Sequence, residues 1–295
     1  MSGDFVQRGA PALMEKHLRA EMALLGGADL VLEMPVQTAT ASAEGFAAGG
    51  VNLLDNLGII DELCFGSECG DTDILTEAAR ILIKEPPVYR ELLQQNLRLG
   101  MSFPLARSRA LTDFLTRSGS SEMSVQDGHF ISPDQTASVL SSPNNILGIE
   151  YCKALFRQNS SIQPHAVLRK GSGYHETDFS GVSEDFFPSA SGIRRLLADN
   201  GNKADFSGLL PDAVFPVFSA PLEKGRWILE SALDLPLHYK LLLETEESLH
   251  MYSDLSNALI RRILKSRNRY EGFSQFADLL KTRDITRSAI YRGLV

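Results

Sequence analysis

Three polar clusters follow short apolar runs in the first 170 residues, and each contains residue types that can hold a nucleotide. Gly66 ends the first such run, where a missing Cβ lets a ligand approach the backbone closely, although a simple turn explains it as well. The adjacent Asn144 and Asn145 precede a helical pattern. One amide is explained as a helix cap, and the other is available to read a base or a ribose. Arg169 and Lys170 lie at the end of another apolar run, directly before a Gly-rich stretch. Two cations in this position are suited to bind a phosphate, and an ordinary basic loop explains them as well.

A fourth cluster, Ser189 to Arg195, has hydroxyls at the start of a predicted helix and an arginine one turn later. Ser191 and Arg194 are its phosphate candidates, because the N-terminus of a helix attracts anions through free N–H groups and the helix dipole. Serine is also a routine N-cap residue, so a purely structural role explains the same pattern.

Other site chemistries have little support in the sequence. The six histidines form no H-E-x-x-H pair, and neither a G-x-x-x-x-G-K-[ST] loop nor a G-x-S-x-G elbow occurs, so we assign no metal ligands. The three cysteines contain no C-x-x-C pair and cannot build a disulfide framework, which favours a reducing cytoplasm. No window reaches the roughly 18 apolar residues of a membrane helix, so no membrane partner is expected.

The elements that must position these clusters alternate between strand and helix patterns. Apolar runs at 28–33, 62–65 and 166–169 predict short strands. Periods near 3.6 residues predict helices over 15–25, 43–57, 71–84, 146–156 and 191–198. Strands alternating with helices indicate βαβ units, so we predict an α/β fold with a parallel sheet and a ligand at the carboxyl ends of its strands.

Pattern and charge both change in the last third of the chain. Strand–helix alternation stops near residue 200, and the pattern is helical after a Gly- and Pro-containing stretch, so we predict domains 1–200 and 222–295. The whole chain of 295 residues has a formal charge of −8, but 261–292 carries +6 and the remainder −14. This asymmetry is expected of a module that meets nucleic acid, and a solvated helical face explains it equally well.

Several short segments, in this order over nearly the whole chain, resemble one known family. They are Met1–Gly9, Arg19–Leu24, Ala28–Pro35, Cys64–Glu68, Pro143–Gly148, Gly171–His175, Ser189–Arg194 and Thr286–Arg292. The series is similar to that of the bacterial tRNA(Met) cytidine acetate ligases, which belong to the nucleotidyltransferase superfamily with an H-x-G-H signature. The resemblance implies a Rossmann-like, parallel-sheet nucleotidyltransferase domain followed by an α-helical C-terminal domain that binds tRNA.

The resemblance also implies an activity and a set of partners. Acetate attacks the α-phosphate of ATP to give acetyl-adenylate and pyrophosphate, and the acetyl group passes to N4 of the wobble cytidine of elongator tRNA(Met). ATP and Mg²⁺ are therefore expected, with the Mg²⁺ ligands unassigned, while the oligomeric state stays open. Cations would offset the charge on the departing pyrophosphate.

By the same resemblance, Gly66, Asn144 and Arg169 contact ATP together with Lys170, and Ser191 and Arg194 assist at the phosphates. The basic tail would hold tRNA phosphates, and the binding should depend on salt. Its candidate residues are Arg261, Arg262, Lys265, Arg267, Arg269, Lys281, Arg283, Arg287 and Arg292.

One departure from the family concerns the H-x-G-H signature, which family members carry in a loop after their first strand. No H-x-G-H occurs in this sequence, so the catalytic residues stay unassigned. We expect from this that the chain lacks its natural start and the first strand of its sheet, and that it is destabilised and inactive by itself.

Two other functions stay open at this point. In one alternative, the chain is a non-catalytic remnant that binds tRNA, and its affinity for tRNA then persists without adenylation. In the other alternative, the chain is an adenylyltransferase for a small phosphorylated metabolite, and residues 255–295 can then be deleted without loss of turnover.

Overall fold

Helices dominate the computed structural model, which describes residues 1–118, 139, 142–169, 188–253, 255–282 and 285–295. The strands in this part of the chain are β1 (Phe5–Val6), β2 (Ala10–Pro11), β3 (Glu62–Ser67) and β4 (Gln163–Leu168). The helices of the first half are α1 (Lys16–Leu25), α2 (Val36–Ala39), α3 (Ala43–Asp55), α4 (Thr72–Lys84), α5 (Pro87–Arg98), α6 (Phe103–Ser118) and α7 (Pro143–Gln158). Those of the second half are α8 (Ala190–Asn200), α9 (Phe215–Glu223), α10 (Asp234–Leu243), α11 (Glu246–Leu249), α12 (Asn257–Ser266), α13 (Phe273–Leu280) and α14 (Arg287–Leu294).

The chain divides into two compact units. Residues 42–169 form the first, which we call the strand–helix unit, and residues 1–41 with 170–295 form the second, which we call the terminal unit. The domain boundaries expected from the sequence, 1–200 and 222–295, stay a prediction.

The strand–helix unit is built on the parallel pair that the sequence predicts. β3 and β4 run side by side in register from Glu62 opposite Gln163 to Ser67 opposite Leu168. Along β3 the side chains alternate, with Glu62, Cys64 and Gly66 exposed and the residues between them partly or fully buried. This alternation follows from the two-residue period of a strand, and it turns the Gly66 face away from the core.

Two apolar clusters hold the helices of this unit in place. One joins α4, α5, α6 and α7 through fully buried side chains such as Leu75, Tyr89 and Leu111. The other joins α3 to α7 through Ala47, Val51 and Leu155. Burying a side chain of this size contributes about 1.5–3 kcal/mol, so both clusters fix the position of α7. Asp71 caps α4 by accepting the N–H of Ile74 at 3.1 Å, as the sequence indicates for this helix start.

The terminal unit combines a small hairpin with the helices of the second half. β1 pairs with β2 in antiparallel fashion, and Gly9 in the connecting turn has a φ of 75°. A Cβ on Gly9 would come within 2.3 Å of the backbone nitrogen of Arg292 in α14. The hairpin therefore sits directly on the last helix, where Ala10 joins the core of α10, α12, α13 and α14.

The strand predicted over 28–33 is wrong. These residues lie outside any strand, Leu30 is 63% exposed, and the neighbouring Met34 makes one isolated parallel bridge with Ser2. An apolar run becomes a strand only when another strand accepts its backbone hydrogen bonds, and no described strand lies beside this one.

The stretch between the two predicted domains is itself packed. Phe206, Leu209 and Phe218 are buried in one cluster with Leu197 of α8 and Leu222 of α9. The rings of Phe206 and Phe218 meet edge to face at 5.1 Å. Glycine and proline in this stretch therefore shape turns inside a folded region of the terminal unit.

Candidate functional site

Three of the predicted site residues, which are far apart in the sequence, line one open pocket of the strand–helix unit. The pocket encloses about 390 Å³, a size at which small-molecule sites begin. We call it the β3–α7 pocket, and it is lined by Cys64, Phe65, Gly66, Asn144, Leu147, Tyr151 and Arg169.

Gly66 lies inside β3 and not in a turn, because the strand continues to Ser67. A Cβ at this position would meet the side-chain carbons of Arg169 at 3.3 and 3.6 Å. Glycine therefore leaves room for the arginine beside the strand. Of the two explanations open from the sequence, a turn does not fit this geometry, and close approach of a ligand stays a prediction.

Arg169 follows β4, and its backbone N–H donates to the carbonyl of Ser67 at 2.9 Å, which extends the parallel pairing by one residue. Its side chain is exposed and makes no hydrogen bond or ion pair with any described residue. A guanidinium held at a pocket wall with unused N–H groups is suited to bind an anion. Its predicted companion Lys170 lies outside the described residues, as does the Gly-rich segment Gly171–His175.

The two adjacent asparagines at the start of α7 have different partners. Asn144 is partly buried and lines the pocket, and its Nδ2 donates to Oε1 of Glu68 at 2.7 Å. Asn145 is only 1% exposed and does not line the pocket. The sequence predicts that one amide is structural and one is surplus, and the structure assigns the structural role to Asn145.

Asn145 builds the turn that follows β3. Its Oδ1 accepts from the hydroxyl of Ser67 at 2.6 Å, from the N–H of Glu68 at 2.8 Å and from the N–H of Cys69 at 3.3 Å. Its Nδ2 donates to the carbonyl of Val139 at 2.9 Å. A single buried amide thus ties the carboxyl end of β3 to the start of α7, and this fixes the distance between the two walls of the pocket.

The apolar wall of the pocket was not assigned from the sequence. Leu147 and Tyr151 follow Asn144 at the i+3 and i+7 positions of α7, so they share its helix face, and this spacing was the available signal. The Tyr151 ring lies 5.5 Å from that of Phe65. Burial raises the pKa of the Tyr151 phenol above its ordinary value, so the wall is uncharged at neutral pH.

The opposite side of α7 is anchored by charge pairs in the core of the unit. Lys153 and Glu150 are both buried, with Nζ and Oε2 at 2.5 Å, and Arg107 of α6 reaches the other Glu150 oxygen at 2.8 Å. Glu44 of α3 is bonded to Arg157, and this hydrogen bond lowers the pKa of the Glu44 carboxyl. The buried Glu150–Lys153 pair and Arg107 link α7 to α6, and removing one partner would leave a buried charge uncompensated. The half-exposed Glu44–Arg157 pair links α7 to α3.

Ser191 and Arg194 belong to the terminal unit. Ser189 is the N-cap of α8, and its hydroxyl accepts the N–H of Gly192 at 3.0 Å. The hydroxyl of Ser191 instead accepts a hydrogen bond from Nη1 of Arg8 at 3.0 Å. The helix cap is therefore Ser189, and the predicted phosphate contact is a different residue, Ser191. Arg194 lies partly buried in the first turn and a half of α8.

The predicted tRNA-binding residues have two kinds of environment. Arg262 donates to the carbonyls of Leu280 and Leu279 at 3.0 and 3.1 Å, and Arg267 donates to the carbonyl of Glu244 at 3.1 Å. These two arginines stabilise the helical fold. The exposed candidates are Arg261, Lys265, Arg269, Lys281 and Arg287, while Arg292 is partly buried and Arg283 lies outside the described residues.

The described residues also bear on metals and membranes. No group of three or more His, Cys, Asp or Glu side chains in this part of the chain is arranged to hold a metal ion. Within the same ranges, no helix combines the length and the apolar character that crossing a bilayer requires.

Comparison with known proteins gives a consistent result. The family model described as HIGH Nucleotidyl Transferase matches residues 1–295. The tRNA(Met) cytidine acetate ligase of Halothermothrix orenii is 36% identical over 299 residues, covering 100% of this chain and 67% of that protein. The ligase of the same name from Clostridium perfringens is 45% identical over 197 residues, covering 67% of this chain and 46% of that protein.

Solved structures show the same similarity in three dimensions. Thermotoga maritima TmcAL in its apo form I matches with a TM-score of 0.85 at 31% identity, and this covers 100% of the chain and 66% of that chain. The form II crystal of the same protein, bound with alpha-thio ATP, matches with a TM-score of 0.83 at 30% identity and 65% of that chain. The present chain thus spans about two thirds of the length of the full-coverage relatives. The α/β architecture predicted from the sequence is confirmed.

Proposed function

The chain belongs to the HIGH nucleotidyl transferase family, and from this premise we propose that it binds ATP in the β3–α7 pocket and acts in acetate ligation to tRNA. In the proposed reaction, acetate attacks the α-phosphate of ATP, the bond to pyrophosphate breaks, and acetyl-adenylate forms. The amine N4 of the wobble cytidine of elongator tRNA(Met) then takes the acetyl group and AMP leaves.

The observation that carries the proposal is the meeting of Gly66, Asn144 and Arg169 in one pocket. They come from β3, the start of α7 and the end of β4, which are the places where an open parallel sheet binds ligands. The solved relative bound with alpha-thio ATP has the same fold, which supports a nucleotide as the occupant.

The pocket residues fit the parts of ATP by their chemistry. The guanidinium of Arg169, exposed at the pocket wall, suits the phosphate charge, and the bare backbone at Gly66 admits a bulky group close to the strand. The wall of Leu147 and Tyr151 suits the flat face of a base. We propose Lys170 as a second cation beside Arg169, and Ser191 and Arg194 as further phosphate contacts.

The exposed basic residues of the tail are the proposed tRNA contacts, because an accessible cation can neutralise a phosphate and release the counterions condensed on the RNA. Arg261 and Lys265 are the best placed, since they are exposed four residues apart on α12. Mg²⁺ is proposed to accompany ATP without assigned ligands, and the reducing cytoplasm is the proposed location.

Binding of ATP to the purified chain, measured by calorimetry in the presence of Mg²⁺, tests the proposal. Arg169→Ala should weaken binding about 10- to 100-fold, because a hydrogen bond to a charged group contributes about 1.5–3 kcal/mol. Arg98→Ala is the matched control, since Arg98 is an exposed arginine of the same unit that does not line the pocket.

A wild-type chain that does not bind ATP, or equal affinities of the two variants, would refute the assignment of the pocket. Acetate-dependent exchange of pyrophosphate into ATP then reports on chemistry. The expectation that this chain is inactive by itself stays a prediction, and exchange above background would show that it is wrong.

A further inference from the structure

The carboxylate of Glu68, in the loop directly after β3, holds the start of α7. The helix begins at Pro143, which has no N–H group, so the next two backbone N–H groups are the ones left without helical partners. Asn144 donates its N–H to Oε1 of Glu68 at 3.2 Å, and Asn145 donates its N–H to Oε2 at 2.9 Å. One carboxylate therefore satisfies both groups, and its charge is favoured at this end of the helix dipole.

The same carboxylate also determines which way the Asn144 side chain faces. Nδ2 of Asn144 donates to Oε1 of Glu68 at 2.7 Å. An ionised carboxylate only accepts hydrogen bonds, so the amide cannot turn its oxygen towards Glu68 without placing two acceptors in contact. The amide is thereby held in one orientation, and its Oδ1 has no hydrogen-bond partner among the described residues.

We propose that Glu68 is a positioning residue that makes Asn144 a hydrogen-bond acceptor towards the nucleotide. This inference rests on the proposed function, because it assumes that the β3–α7 pocket binds ATP. An acceptor at this position selects a donor group on the ligand. The phosphate oxygens are acceptors, so the group that Asn144 reads is the exocyclic amine of adenine or a ribose hydroxyl.

A neutral residue at position 68 should weaken this selection. Glutamine has both a donor and an acceptor end, so in Glu68→Gln the new amide can donate to Oδ1 of Asn144 and allow it to turn over. The pocket would then present either end of Asn144, and ligands with and without the donor would bind with similar affinity.

The test measures dissociation constants for ATP, inosine triphosphate, 2′-deoxyATP and 3′-deoxyATP with the full chain. These analogues separate the amine from the two hydroxyls. We expect the wild type to bind one of them about tenfold more weakly than ATP, which is the usual size of one lost hydrogen bond. In Glu68→Gln this ratio should fall towards one.

A double variant, Glu68→Gln with Asn144→Asp, reverses the polarity of the pair and should restore the ratio. The new aspartate has only acceptor oxygens, and the new glutamine can donate to it. The net charge of the double variant is unchanged, and any uniform loss of affinity from the negative charge moved to position 144 cancels in the ratio, so the readout differs from that of a merely structural defect. Asp71→Asn is the matched control, because it neutralises the carboxylate cap of α4 in the same unit and should leave the ratio unchanged.

Three results would overturn the inference. The wild type could bind all three analogues as tightly as ATP, Glu68→Gln could keep the wild-type ratio while folded by circular dichroism, or Asn144→Ala could keep it. The Asn144→Ala result decides the matter even if Glu68→Gln does not fold. A wild type that binds no ATP would instead refute the proposed function, and the inference with it.

Discussion

At the scale of single residues, neighbouring side chains of the same type differ in whether hydrogen bonds hold them inside the fold. Among the described residues, the buried Asn145 side chain makes four hydrogen bonds, whereas the Asn144 side chain makes one and lines the pocket. The basic tail divides in the same way, because Arg262 is bonded to helix carbonyls while Arg261 is exposed. In both cases the partner atoms, and not the residue type, determine the role.

The asparagine pair leads to a prediction that separates stability from binding. Asn145→Ala should lower the free energy of unfolding by about 2–4 kcal/mol, because it leaves the hydroxyl of Ser67 and the backbone groups of the turn without their acceptor. Asn144→Ala should cost less than about 1 kcal/mol and weaken ATP binding instead. Urea unfolding and calorimetry measure the two effects. Similar unfolding energies for both variants would contradict the assignment.

At the scale of elements, close contacts at glycines fix how neighbours pack. Gly148 lets α7 lie against β3 and α4, since a Cβ there would come within 2.6 Å of the Phe65 ring. In the terminal unit, Gly9 lets the β1–β2 hairpin rest on α14. Both contacts bring together elements that are far apart in the sequence, so the fold depends on the absence of a single carbon atom at each of them.

The hairpin contact predicts a large effect of one methyl group. Gly9→Ala should lower the free energy of unfolding by more than about 3 kcal/mol, because the Cβ clashes with the backbone of α14 and the φ of 75° adds about 1–2 kcal/mol of strain. Gly208→Ala is the matched control, with a φ of 71° and nothing within 4 Å of the new Cβ. Chemical denaturation compares them, and equal losses would show that the hairpin does not rest on α14.

At the scale of the whole molecule, the charge distribution is the feature that concerns tRNA. The chain has a net charge of −8 but contains a helical stretch, 261–292, with a charge of +6. Five basic residues of that stretch are exposed in the terminal unit. The negative charge of the other residues repels nucleic acid and so limits non-specific attraction. Binding of tRNA should therefore depend on the exposed cations of this stretch.

Removing two of these cations should change the salt dependence of tRNA binding. For Arg261→Ala with Lys265→Ala, the slope of log affinity against log salt should fall by about 2, because each lost phosphate contact removes nearly one unit. Arg98→Ala with Arg109→Ala removes the same charge from exposed positions of the strand–helix unit. Filter binding over a salt series measures both. Equal slopes for the two double variants would place the tRNA contacts elsewhere.

The sequence by itself determined the parallel β3–β4 pair, the helices α3, α4 and α7 beside it, and the family, whereas α5 and α6 were not predicted. Periodicity and residue types such as Gly66 and Asn144 are local signals, and the order of short motifs is preserved however the chain folds. The pocket residues were therefore within reach of sequence reasoning, although their meeting at one site was an expectation until β3, α7 and β4 were placed.

Only the tertiary structure decided which partner each side chain finds. Residues 28–33 have a strand-like composition, but no described strand lies beside them. Glu68 caps a helix that begins 75 residues later. Arg262 donates hydrogen bonds to carbonyls at the end of α13. Hydrogen bonds are short-ranged and directional, so their energy depends on atoms brought together by packing and not on neighbours in the sequence.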